Sequence, residues 1–458
     1  MQIDPSTSTR LLKVLPIVVS LVLSLGLGLF AAHQVRAEKH RRSAPQISGS
    51  RPNILLIVTD DQDKSTFDVM RSTNKYFQQE GTDFVNGRVT TPLCCPSRAS
   101  MYSGLYAHNH RILTNNPSKQ FAKTYRPRQT FPWLLRESGY RTGQFGKYLN
   151  NWSIGNEGKA GFDVFDNDYL KTEHRRKERG LSDDITINRA IRFIKQNETD
   201  DDQPWMATVA LRSPHTPLIP SERFQAAKVP GFDPPPSWKE KDRSDKPPYL
   251  ADKLSPHSKR ATNTRYKRYK RTLLSADDGV RNIMEELGRY GEDEDTLAIF
   301  ISDNGFLFGQ HDLLGKVYAY REGTNVPFLA RWPGVIGKGV TDRRLAANID
   351  LAPTFYDVAG IDPGYRTDGA SLFSPASNRR YLLTESVRWR AIQDSRGVLI
   401  ESTDPKDGSI WTERYDWDRD PDELEGTLIT DNLIEVARTE RLRAALRAAE
   451  NCAGASCP

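Results

Sequence analysis

Apolar positions along this chain fall into two arrangements. Unbroken apolar runs occur within Pro52–Asp60, Met206–Leu211 and Thr296–Ser302. A short run without polar alternation suits a strand buried on both faces, as in a parallel sheet. Between these runs the spacing becomes helical. Thr130 as N-cap, Pro132 in the first turn and Gly139 beyond the end predict a short helix. Ser182 opens a second, with Ile187, Ala190, Ile191 and Ile194 as its apolar positions. Leu273, Ala276, Val280, Ile283 and Leu287 form a longer helical stripe, and Asp350–Ala359 also reads as a helix. Strands alternating with helices predict an α/β core, doubly wound around a mostly parallel sheet. The alternation weakens after Gly364. There Tyr381–Thr384, Val398–Ile400 and Trp411–Tyr415 predict a small C-terminal α+β subdomain with antiparallel strands.

The N-terminus adds a targeting signal. Arg10 and Lys13 precede an apolar run from Val14 to Ala32, followed by the small-x-small triplet Val35-Arg36-Ala37. A cleaved signal peptide and a retained anchor both fit, and the triplet favours cleavage. Either way the remainder is expected to be exported, with membrane contact only if the anchor is retained. The expected organisation is residues 1–37 as signal or anchor, 38–51 as a polar linker, 52–364 as the catalytic domain and 365–458 as the C-terminal subdomain.

Composition changes this picture little. The 458 residues are 37% hydrophobic and 27% charged, which suits a folded enzyme and excludes a disordered chain. A net charge of +6 favours anionic partners without being a nucleic-acid signature, and no nucleic acid is expected. Residues 229–271 form a long Pro-rich, charged stretch that includes Pro234-Pro235-Pro236 and Ser244–Pro248. It reads as a functional surface loop. Its last part, Lys259 to Arg271, is densely basic with Tyr266 and Tyr269 interleaved. That tract is either a solvated helix face or a rim that attracts a polyanion. Of four cysteines, Cys452 and Cys457 sit close together near the end, where an oxidising compartment favours a local disulfide over two free thiols.

The candidate chemistry lies just past the strand ends, where ligands collect in doubly wound sheets. Asp60 and Asp61 follow the first apolar run, and Asp303 and Asn304 follow the third. All four offer oxygen, a donor set that favours a hard divalent cation, and Ca²⁺ over Mg²⁺ if oxygens of a bound anion also join the shell. Between them stands Cys94-Cys95-Pro96-Ser97-Arg98. Taken singly, an Asp-Asp pair is often a helix cap and Asp-Asn-Gly a common turn. Taken together and in this order, they resemble the sulfatase family.

That resemblance implies an alkaline-phosphatase-like fold. It also implies that Cys94, which heads Cys-x-Pro-Ser-Arg, is oxidised to formylglycine by a maturation enzyme, while Cys95 at the x position is not. Asp60, Asp61, Asp303 and Asn304 would hold Ca²⁺, with the modified Cys94 beside it. Arg98 would support the nucleophile. Lys147 in Gly146-Lys147-Tyr148, His215 in Ser213–Pro217 and Lys316 after Gly315 match the family's catalytic lysines and the histidine beside the leaving group. His311 is a weaker candidate. Two departures stand out. Leu149 occupies a position where many arylsulfatases carry a histidine, leaving Asn150, His108 or His110 as substitutes. Ser103-Gly104 replaces the usual Thr-Gly.

Ala107–His110, Asn115-Asn116, Gly146–Asn150 and Ser244–Pro248 further resemble the N-acetylglucosamine-6-sulfatase and heparan endosulfatase branch. The implied substrate is a sulfated carbohydrate or another sulfate ester. Alternatives are an arylsulfatase or a phosphonate or phosphate monoester hydrolase on the same scaffold. A different class of alternative is a non-catalytic exported glycan-binding protein.

Overall fold

A computed structural model describes residues 51–116, 126–150, 152, 160–167, 182–199, 203–250, 253, 258–426 and 432–458. The targeting segment and linker expected before Arg51 lie outside the described residues. Among the described residues, ten strands precede the C-terminal sheet. They are β1 (Asn53–Asp60), β2 (Thr82–Phe84), β3 (Arg141–Gly146), β4 (Val164–Asp166) and β5 (Trp205–Pro214). They continue as β6 (Thr296–Ser302), β7 (Leu307–Phe308), β8 (Leu314–Gly315), β9 (Phe328–Arg331) and β10 (Val340–Asp342). Eight of them form one sheet in the order β10-β2-β9-β6-β1-β5-β3-β4, and β7 and β8 form a separate hairpin. Every pairing in the large sheet is parallel except those of β9 with β2 and β6.

β1 lies at the centre and is buried along its whole length. Successive side chains of a strand face opposite ways, so β1 feeds two cores. Ile54, Leu56 and Val58 pack under α1 (Cys94–Ser103), α2 (Phe131–Glu137) and α5 (Leu351–Ala359). Leu55 and Ile57 pack under α3 (Ser182–Thr199) and α4 (Lys259–Tyr290). This is why the sequence shows unbroken apolar runs and not alternation.

The C-terminal sheet is a meander of β11 (Leu382–Glu385), β12 (Trp389–Asp394), β13 (Gly397–Thr403) and β14 (Ile410–Asp416). Leu382, Ile392 and Leu399 pack with Leu442 and Leu446 of α6 (Leu433–Ala449). Trp389, Ala391, Val398 and Ile400 pack instead with Leu307, Leu313 and Tyr320, around the β7–β8 hairpin. The small sheet thereby braces the hairpin. No helix among the described residues is long and apolar enough to cross a membrane.

Candidate active site

The parallel register sets Thr59 of β1 opposite Ser302 of β6. The next residues, Asp60 and Asp303, therefore leave the sheet side by side. The chain turns sharply there: Asp61 has φ +68°, and its N–H donates to Asp303 Oδ1 at 3.0 Å. Asn304 Nδ2 donates to Asp61 Oδ1 at 2.7 Å. One oxygen from each of Asp60, Asp61 and Asp303, together with Cys94 Sγ, lies within 4.8 Å of the others, and all four residues are buried.

Cys94 stands in the first turn of α1, its Sγ 3.6 Å from Asp60 Oδ1 and 3.9 Å from Asp61 Oδ1. Burial pushes this thiol well above its ordinary range; the charge of Lys147 opposes the rise, and the carboxylates of Asp60, Asp303 and Asp61 add to it. An unmodified Cys94 is thus held as the thiol, which is a poor nucleophile. Cys95 faces away. Its Sγ accepts from the Asn150 N–H at 3.1 Å, and burial raises it to about 11.

Cations surround the carboxylates. Lys147 follows β3, and its Nζ reaches Asp60 Oδ2 at 2.6 Å. Gly146 sets that exit: it has φ +82°, and a Cβ there would lie 2.1 Å from the Ala210 carbonyl oxygen. Arg98, one turn along α1, donates through Nε to Asp303 Oδ2 at 2.8 Å and also to the Lys147 carbonyl. Lys316 follows β8 and brings Nζ to 2.7 Å from Cys94 Sγ and 2.5 Å from Asp61 Oδ1. His215 follows β5, with Nε2 3.7 Å from Asp61 Oδ2. Burial alone would raise the Asp60 carboxyl. The charges of Lys147, His215, Arg98 and Lys316 instead hold it well below the usual carboxylate range. Burial lowers Lys147 and Lys316, but the neighbouring carboxylates, Asp60 in the first case and Asp61, Asp60 and Asp303 in the second, oppose this, and both are raised and stay charged.

The weaker candidates go elsewhere. His311 is fully buried on Glu240, 2.8 Å from its Oε2, and burial lowers it to about 3. His110 Nε2 meets Ser100 Oγ at 3.0 Å behind α1. His108 binds Glu385 and the Cys452 carbonyl. Asn150 contributes its backbone N–H to Cys95, and Leu149 belongs to the apolar core. A disulfide joins Cys452 to Cys457. Sequence reasoning missed Tyr269 of α4. Its hydroxyl binds the Asp61 carbonyl and accepts from the Asp63 N–H at 3.1 Å, fixing the turn after β1. Nothing in a basic tract marks one tyrosine as inward; only the helical phase of α4 does so.

The basic tract is the start of α4, not a continuous rim. Tyr266, Tyr269 and Lys270 are buried, and Lys270 pairs with Asp68 at 2.8 Å.

A family model described as Sulfatase matches residues 52–361, and one described as N-sulphoglucosamine sulphohydrolase, C-terminal, matches 309–450. The extracellular sulfatase SULF-1 homolog of Drosophila melanogaster is 30% identical over 412 residues, covering 80% of this chain and 34% of the relative. The N-acetylglucosamine-6-sulfatase of Homo sapiens is 30% identical over 355 residues, covering 70% of this chain and 64% of the relative. The chain thus spans between a third and just under two thirds of these curated relatives. Among solved structures, one described as a complex with D-glucosamine-2-N,6-O-disulfate has a TM-score of 0.69 at 21% identity. It covers 87% of this chain and 97% of that one. The phosphonate monoester hydrolase of Agrobacterium radiobacter scores 0.68 at 22% identity over 87% of this chain and 96% of that one. Likeness at that identity establishes the fold alone.

Proposed function

The chain belongs to the sulfatase family, and on that premise we propose that it is an exported hydrolase of sulfate monoesters on a sulfated amino sugar or glycan. One observation carries the reading: Cys94 sits among Asp60, Asp61 and Asp303, with Lys147, Lys316 and His215 around it. Relatives described as N-acetylglucosamine-6-sulfatase and extracellular sulfatase support the substrate class and export.

The residues fit a hard divalent ion. Three buried carboxylates converge, and Asn304 Oδ1 is buried with no hydrogen-bond donor, which leaves its lone pairs free. Asp60, Asp61, Asp303 and Asn304 would hold Ca²⁺, which would screen and orient the sulfate oxygens. Oxidised to formylglycine by a maturation enzyme, Cys94 would supply a geminal diol able to release sulfate without a second attack at sulfur.

This chain's other residues then have separate tasks. Arg98, Lys147 and Lys316 balance the three carboxylates, so a bound divalent ion leaves net positive charge for an anionic ester. Lys147 and Lys316 face the sulfate. His215 stands at the edge of the cluster, where it delivers a proton to the leaving oxygen. Arg98 positions Asp303 and the Lys147 backbone.

Mass analysis of the peptide containing Cys94 tests the reading. Conversion of thiol to aldehyde lowers its mass by about 18 Da. Sulfate release should accompany that form, with aryl phosphate turned over far more slowly. An unoxidised Cys94 in an enzyme that releases sulfate would overturn the assignment.

A further inference from the structure

A cavity of about 650 Å³ lies between the segment that follows His215 and the start of α4. Thr216 and Ile219 line one wall, and Ser258, Arg260, Arg265 and Arg268 line the other. Its position ties it to the nucleophile cluster. His215 immediately precedes the first wall and reaches Asp61. Tyr269, one helical turn beyond Arg265, binds the Asp61 carbonyl.

The arginines are unusual in what they lack. Among the described residues, Arg260, Arg265 and Arg268 have no carboxylate partner, although this chain pairs many of its other arginines. Arg265 is half-buried, lies with Cζ 5.3 Å over the Phe306 ring and keeps a buried Nε without an acceptor. Stacking on Phe306 fixes the guanidinium plane but uses none of its N–H groups. Burial lowers Arg265, and the Asp61 carboxylate opposes this from a distance without pairing with it. Three like charges around one cavity repel each other, and the N-terminal end of a 32-residue helix, capped by Ser258, adds to the positive field. Among the described residues no ion pair ties any of the three guanidinium groups to a carboxylate, so the fold leaves their N–H groups available to a ligand. The opposite wall, with Pro217, Leu218 and Ile219, offers an apolar face of the kind a sugar ring packs against.

We propose that this cavity is a second anion subsite of the active site, in which Arg265, aided by Arg268 and Arg260, holds another sulfate or carboxylate of the substrate while the scissile sulfate lies at Cys94. The proposal rests on the sulfate-ester reading above and adds its selectivity: the preferred substrate carries at least two anionic groups.

Three probes separate the sources of the second charge. N-acetylglucosamine 6-sulfate has none, glucosamine 2-N,6-O-disulfate carries a second sulfate on the same ring, and a uronate-linked N-acetylglucosamine 6-sulfate carries a neighbouring carboxylate. Arg265→Ala should raise KM about tenfold for one or both doubly charged probes, with kcat kept and the singly charged probe unchanged. Arg265→Lys should recover part of the loss. Arg268→Ala, at an exposed position, should raise the same KM about threefold and serves if Arg265→Ala does not fold. Equal KM changes on all three probes, or none on any, would overturn the subsite. Calorimetric binding of the doubly charged probes to Cys94→Ala gives a second readout independent of turnover. If the native enzyme releases no sulfate, the reaction assignment fails, yet weaker binding on adding Arg265→Ala still supports the subsite and unchanged binding overturns it.

Discussion

Two adjacent cysteines divide into different roles because α1 turns them about 100° apart. Cys94 enters the carboxylate cluster, while Cys95 enters the core and accepts from Asn150. Cys94→Ala should therefore abolish sulfate release without unfolding the protein. Cys95→Ala should keep most of the activity and cost about 1–2 kcal/mol, because a buried N–H loses its acceptor. Steady-state kinetics with thermal melts separates the two, and equal loss of activity in both variants would remove the assignment. Arg98 behaves differently again. It is 1% exposed, and removing it strands Asp303 in the interior. Arg98→Met should cost about 3–5 kcal/mol, seen as a lower denaturant midpoint, besides losing activity. At this scale the sequence reading was uneven. Asp60, Asp61, Asp303 and Asn304 are legible because they follow strand-like runs. Lys147, His215 and Lys316 carry no local signal and rest on family resemblance. Arg265 and Tyr269 are hidden in a run of charges whose inward members only the helix phase selects.

Elements with a strong period were legible, and short ones were not. β6 coincides with its apolar run, and β1 and α5 begin one residue later than expected. α4 was read from its apolar stripe at Leu273, but it begins at Lys259, because its first turns are polar on most sides. The strands β2, β4 and β7–β10 are two to four residues long, too short to establish a period. α6 escaped notice because arginines and glutamates interrupt its apolar face. Element ends also carry the sharpest tests. Gly146→Ala should displace Lys147, because positive φ and the Ala210 carbonyl both resist a side chain. The expected outcome is a loss of kcat well beyond any fall in melting temperature, and normal kcat would show that the exit from β3 tolerates the change.

The Ala107–His110 turn gives a pH test. Burial works against a charged His108, but Glu385 and the Cys452 carbonyl outweigh it and raise the ring above its ordinary value. Its contribution is complete below the unfolded value of about 6.5 and disappears as pH rises through the raised folded value. Glu385 is held low despite its burial, chiefly by His108, so its share is lost as pH falls through that depressed value. The melting-temperature gap between native protein and His108→Gln should be widest near about pH 6 and close in alkali. A gap independent of pH would mean that His108 acts through shape alone.

For the molecule as a whole, the proposed Ca²⁺ site would make folding and ion binding one equilibrium. Donors from β1 and β6 exist as a set only in the folded state, so Ca²⁺ should bind that state alone. At a hundred times its Kd it should add about 2.7 kcal/mol of stability. A chelator should lower Tm, and Ca²⁺ should restore it more fully than Zn²⁺. Asn304→Ala should shrink the shift. Absence of any Ca²⁺-dependent Tm change would count against the ion.

The pairing of β1 with β6 also makes synthesis time a chemical variable. Asp61 and Asp303 are 242 residues apart. At 5–20 residues per second, roughly 12–48 s pass between the emergence of one and the other. Cys94 emerges 33 residues after Asp61, and from then until β6 is made β1 lacks that neighbour and Cys94, 1% exposed once folded, is open to other proteins. On the proposed oxidation of Cys94, that window is when an enzyme would reach it, so slowing translation between these two strands should raise the fraction converted.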